Sequence, residues 1–131
     1  MAVDSILDAA RAGLAYERLR LDAASRNIAS ANVALAPGQD ATRLGVGAAP
    51  RSFADAVGFG PGLAPQPLAA REVHDPGHPL ADAAGMVRYP RIDMVQEMTT
   101  LMTASRGYEA NVRSFNLLRG MMLRALEIGA K

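Results

Sequence analysis

The chain has 131 residues, half of them apolar by an inclusive count, with 14 basic and 13 acidic side chains, three Tyr, three Phe, and no Trp or Cys. That length suits one folding unit with a thin core, since few aromatic side chains are present to anchor a dense interior. A formal charge of +1, made of scattered arginines and the lone Lys131, provides no basic stripe for nucleic acid, and the missing cysteines exclude disulfides, thiolate metal sites and cysteine nucleophiles.

Proline organises the rest: all eight lie between Pro37 and Pro90. A proline lacks the amide hydrogen and clashes with the preceding helical turn, so long helices belong only at the two ends. The N-terminal segment carries Leu7, Leu14, Leu21 and Ile28 every seven residues, with Ala10, Ala24 and Ala31 in a second row that Glu17 interrupts. This narrow, coiled-coil-like seam predicts a helix over residues 5–32, with Asp4 or Ser5 as its cap. No apolar run approaches the ~20 residues needed to span a bilayer, and the opening Met1-Ala2-Val3-Asp4-Ser5 lacks the cationic and apolar blocks of a cleavable signal peptide. Those signals alone read as a soluble cytoplasmic protein, although a chain exported by an unsignalled route has the same appearance.

The middle is Gly-, Pro- and Ala-rich. Residues 36–68 have little periodicity and suit a mobile loop or a short irregular hairpin; Arg71-Glu72-Val73 and Met86-Val87-Arg88-Tyr89 are predicted strands around the turn-rich stretch from His74 to Gly85. His74 and His78 flank Asp75-Pro76-Gly77, and with Asp75 or Asp82 they offer donor types that zinc takes. Pro76 and Gly77 prevent the helical turn that would align the two imidazoles, so the stretch reads as a structural turn and no metal is expected. Gly45-Val46-Gly47 and Gly58-Phe59-Gly60 resemble a phosphate loop only in composition, since no Lys-Ser pair follows.

The C-terminal segment has the strongest pattern. Met94, Met98, Leu101, Ser105, Tyr108, Val112, Phe115, Arg119, Met122, Leu126 and Gly129 follow alternating four-three spacing, and Leu118, Met121, Ala125 and Ile128 widen the apolar face beyond what one partner helix covers. Asp93 is the expected N-cap, with Gln96 at the capping-box position. The helix then runs about 35 residues, or about 50 Å at 1.5 Å per residue. Gly107 and Gly120 read as close approaches or bends, because glycine inside a helix costs about 1 kcal/mol relative to alanine. Met94, Met98, Met102, Met121 and Met122 suit either core filling or an adaptable subunit interface. Ser105, Tyr108 and Glu109 sit on or beside the seam with no histidine tied to them, so no catalytic residue, cofactor or enzymatic activity is expected.

Three segments resemble the flagellar axial proteins, specifically the proximal rod subunits of type C in the bacterial flagellar basal-body rod family. Arg18 to Asn32 is similar to the family's N-terminal helix, whose closing motif runs here as Ser25-Arg26-Asn27-Ile28-Ala29-Ser30-Ala31-Asn32, with Ser30 in place of an asparagine. His74 to Val95 resembles the stretch leading into the last helix and is the most specific match. Ala104 to Val112, Phe115-Asn116 and Leu126 to Gly129 look like the C-terminal helix of rod and hook proteins. Between Val33 and Leu68 the family's aromatic-basic strand is missing, since Pro37 to Arg43 contains no tyrosine.

The resemblance implies export through the flagellar type III apparatus without a cleaved signal, followed by polymerisation with itself and other rod subunits into a periplasm-crossing drive shaft. The expectation is therefore a mainly α protein: an N-terminal helix in 1–34, an irregular β-containing middle in 35–91, and a long helix in 92–131, the two helices forming a coiled-coil-like pair. Its assembly residues are expected to be Leu14, Leu21, Asn27, Ile28, Tyr108, Asn111, Val112, Phe115, Met122 and Leu126, with no direct membrane insertion. The alternatives are another rod or hook subunit and a cytoplasmic helical-hairpin adaptor.

Overall fold

The computed structural model describes residues 2–47 and 62–130. Helix α1 spans Ala2–Ser30, strands β1 Thr42–Val46, β2 Leu63–Pro67, β3 Ala70–His74 and β4 Met86–Pro90 follow, and helix α2 spans Met94–Gly129. The protein is mainly helical, with two small antiparallel sheets between its helices.

The two helices run antiparallel. Gly13 meets Asn111, Glu17 meets Gly107, Arg20 reaches Thr103, and Asn27 bonds Glu97, so residue numbers rise along α1 as they fall along α2. The closest points use small residues: a Cβ added at Gly107 would lie 2.9 Å from Glu17 Cδ, so this glycine is a close approach. Among the described residues Gly120 has no such neighbour. Helix α1 begins earlier than the predicted residue 5, which puts Asp4 and Ser5 inside its first turn instead of at a cap. It ends at Ser30, where the hydroxyl donates back to Asn27 O at 3.1 Å and offers the backbone an alternative to continuing. Helix α2 starts as expected: Asp93 Oδ1 accepts from Val95 N at 3.0 Å and Gln96 N at 3.1 Å, occupying amides that the first turn leaves open.

Leaving α1, the chain turns at Ala36-Pro37-Gly38-Gln39, where Gln39 N donates to Ala36 O at 3.0 Å and Gly38 takes φ +79°. Proline then glycine at the two central positions is the type II pattern, whose second position favours glycine. Strand β1 pairs with β2 in a hairpin, one of the two possibilities left open for 36–68. Its return strand carries Pro65 and Pro67, opposite Leu44 and Thr42. Pro65 and Pro67 remove two donors from the outer edge of β2, which a two-stranded sheet tolerates. The Gly58-Phe59-Gly60 stretch lies outside the described residues. The second hairpin, β3–β4, extends the predicted strands by a residue or two, and Arg71 faces Tyr89 across it with its guanidinium carbon 4.9 Å from the ring centre.

The core is thin and lies at the end of the helix pair where the hairpins dock. It consists of Ala23, Ala24, Ala31, Leu35, Ala41, Leu63, Val87 and Ala104, with Asn27 and Glu97 the buried polar residues among those described.

Candidate assembly interface

The junction of both helices with β1 is built on Asn27. Its carboxamide is 2% exposed, donates to Leu44 O at 2.9 Å, and accepts from Leu44 N at 2.7 Å. Leu44 stands opposite Pro65, so its amide and carbonyl point away from β2, and the Asn27 side chain takes the place of a neighbouring peptide. Asn27 Nδ2 also donates to Glu97 Oε2 at 3.2 Å. Glu97 is 2% exposed, and its Oε1 accepts from Arg43 Nη2 at 2.7 Å and Nε at 3.1 Å. Arg43 continues to Gln66 Oε1 on β2 at 3.3 Å. The network thus joins α1, α2, β1 and β2, and no buried side-chain nitrogen or oxygen among the described residues lacks a partner.

A second junction ties β3–β4 to the end of α1. Arg71 Nη2 donates to Asn32 Oδ1 at 3.1 Å and lies 3.5 Å from Ala31 O, while Leu35 N donates to Arg88 O at 2.8 Å. Helix α1 has no basic residue in its last turn, so a cation from a distant strand faces the negative end of its dipole.

Glu97 shifts the most buried line of α2 by one residue near its start. The predicted stripe ran through Met98, Ser105 and Val112; the buried positions are Glu97 and Ala104, one residue earlier, while Ser105 and Val112 are half-buried and Met98 lies half outside. Apolar spacing alone favoured methionine, and the paired carboxylate overrides it. Leu101, Phe115 and Met122 keep their expected half-buried places. Among the expected assembly residues, Leu14, Leu21, Ile28, Asn111, Val112, Phe115 and Met122 are half-buried and Asn27 is buried, whereas Tyr108 is 37% and Leu126 63% exposed.

Large apolar side chains remain uncovered along α2. Val95, Met98 and Met102 form one outward row; Leu117, Met121, Leu123, Leu126 and Ile128 surround its last turns. Ile6 and Leu7 line an apolar cleft with Leu118, Met121, Met122 and Ala125, which places the start of α1 there and leaves the turn after Ala125, with the exposed Leu126 and Ile128, projecting beyond it. Such a surface offers association by apolar burial and nothing for proton or group transfer.

His74, His78 and Asp82 serve the β3–β4 turn. His78 Nδ1 accepts from Leu80 N at 3.1 Å, and Asp82 Oδ1 accepts from Ala84 N and Met86 N, each at 2.9 Å. Gly85, at φ +73°, packs against His74 and Pro76 where a Cβ would be strained. Among the described residues no group of His, Asp and Glu is placed to hold a metal ion, and no helix is long and apolar enough to cross a membrane.

An antiparallel helix pair with two small hairpins at one end, and apolar rows left uncovered, defines a building element of a larger structure. Residues 83–128 match the family model described as the flagellar basal body rod FlgEFG protein C-terminal, which covers the end of the β3–β4 hairpin and nearly all of α2. Over almost the full length, the chain is 37% identical to the flagellar basal-body rod protein FlgC of Salmonella typhimurium, with 98% of this chain and 99% of that one aligned. The FlgC protein of Borreliella burgdorferi is 32% identical, with 98% of each covered, and that of Bacillus subtilis is 47% identical over 44% of this chain and 38% of its own. The chain belongs to the FlgC family of flagellar basal-body rod proteins. It is a structural subunit of the basal-body rod and not an enzyme.

Proposed function

We propose that the chain polymerises in the proximal part of the rod through its terminal segments, 1–34 and 92–131, as part of the drive shaft that transmits torque across the periplasm. The observation that carries this reading is the uncovered apolar surface of α2, above all the projecting turns where Leu126 is 63% and Ile128 78% exposed. Burying such surface against neighbouring subunits stabilises a polymer at ~25 cal/mol per Å2. The seam shared by α1 and α2 is read as coiled-coil-like, and the methionines that face outward, Met98, Met102 and Met121, suit contacts with unlike neighbours. Its partners are then copies of itself and other rod subunits, reached after export through the type III apparatus without a cleaved signal.

A charge on the projecting turns tests the reading. Leu126→Glu lies on exposed surface, so it should leave the isolated chain within about 0.5 kcal/mol of its original stability. It should nevertheless abolish rod assembly and swimming while the chain is still produced. Val112→Asp should also block assembly, but with a loss of monomer stability, because Val112 is half-buried. Normal swimming by both variants would overturn the proposal.

A further inference from the structure

The apolar part of the helix pair repeats on both sides. Leu7, Leu14, Leu21 and Ile28 recur every seven residues on α1, and Leu101, Tyr108, Phe115 and Met122 do so on α2. Sliding one helix by seven residues, about 10 Å at 1.5 Å per residue, brings apolar rows back against apolar rows. Aliphatic packing alone therefore distinguishes the two alignments poorly.

The alignments differ in one respect that matters for the molecule's surface. If α1 moved by seven residues toward the C-terminal end of α2, its first turn would reach the end of α2 and cover the turns that now project. Glu17 would then stand opposite Ser114, and Asn27 opposite Ala104, which is fully buried. The chain would cover part of its own exposed apolar surface at the end of α2.

We propose that Glu97, with Asn27 and Arg43, is a register lock that excludes this alignment and keeps the last turns of α2 uncovered by the chain's own α1. In the observed register the Glu97 carboxylate receives Asn27 from α1 and Arg43 from β1, and Asn27 also holds β1 through Leu44. Strand β1 is thus carried with α1. A slip separates Asn27 and Arg43 from Glu97 together, leaving a carboxylate stripped of its partners, and it also draws the end of α1 away from Arg71 and Arg88. Losing hydrogen-bond partners at buried groups is costly, and setting register is the best-attested use of a buried polar residue in a helix seam. Arg20 adds a weaker check, since its guanidinium lies between Glu17 at 3.0 Å and Thr103 at 3.5 Å. The lock concerns one chain alone and does not depend on how subunits join.

Cross-linking of the full chain tests it, because the sequence has no native cysteine to interfere. Glu17→Cys with Gly107→Cys reports the observed register, since a Cβ at 107 lies 3.2 Å from Glu17 Cγ. Glu17→Cys with Ser114→Cys reports the slipped one. In dilute oxidised protein with Glu97 intact, the first pair forms the intramolecular disulfide and the second does not. Glu97→Leu, which removes the need for polar partners, should raise the second disulfide at least tenfold and lower the first. Glu97→Gln keeps the shape and an acceptor oxygen and should retain the original pattern. The proposal fails if Glu97→Leu gives only the observed-register disulfide, if it loses both, or if Glu97→Gln slips as readily as Glu97→Leu.

Discussion

Replacing Asn27 with alanine removes three hydrogen bonds in one step: two between its carboxamide and the Leu44 peptide, at 2.9 and 2.7 Å, and one to Glu97 at 3.2 Å. Each such bond is worth about 1 kcal/mol net, and a buried group left without a partner costs about 1–3 kcal/mol. The Leu44 amide and carbonyl face away from β2 toward Asn27, so the loss is not made good within the hairpin. Glu97 retains Arg43, which limits the damage on that side. The sum is about 3 kcal/mol, a large part of the ~5–15 kcal/mol that holds a domain together. At about 2–4 °C per kcal/mol, as for chains of about 150 residues, Tm should fall by about 6–12 °C in thermal unfolding followed by circular dichroism. Asn27→Asp should cost more, since it supplies no donor to Leu44 O and sets a second carboxylate beside Glu97. A Tm within 2 °C of the original chain for Asn27→Ala would refute the claim that this side chain joins the helices to β1.

Three further substitutions separate parts of the account. Arg43→Leu leaves Glu97 buried without its guanidinium; because Arg43 is itself 32% exposed, the loss should be about 2–3 kcal/mol, below the 3–5 typical of a fully buried pair, read as a lower urea midpoint at unchanged slope. Gly62→Ala should cost about 1–3 kcal/mol, because Gly62 has φ +83° and a Cβ there would lie 2.7 Å from Leu19 Cδ1; an unchanged Tm would contradict it. Gly120→Ala should instead stabilise the isolated chain by about 0.5–1 kcal/mol, since it sits inside α2 and no described residue lies within 4 Å of an added Cβ, and a lowered Tm would contradict this.

Both long helices were legible because proline is confined to the middle and the apolar spacing of seven survives at each end. The Asp93 cap was legible for the same local reason, an oxygen beside free amides at the start of an apolar run. The two buried positions of α2, Glu97 and Ala104, were not. Glu97 looks like any solvated carboxylate in a helix, and only Arg43, 54 residues earlier, and Asn27, 70 residues earlier, explain its burial. Strand β2 was equally hidden, because Leu63-Ala64-Pro65-Gln66-Pro67 lacks β-branched residues and carries two prolines. Its pairing depends on β1 and on Asn27 completing the outer edge of β1, information that no local window contains. Asn27 was singled out through its place in the family-like motif, but the motif did not say what the side chain bonds.

The most direct test of the central claim is to purify intact basal bodies from the source cells and locate this chain in them by mass spectrometry and labelled electron microscopy. The account predicts label on the proximal rod, in bodies that lose it when Leu126→Glu is the sole copy. Intact rods without the chain would contradict its role as a structural subunit.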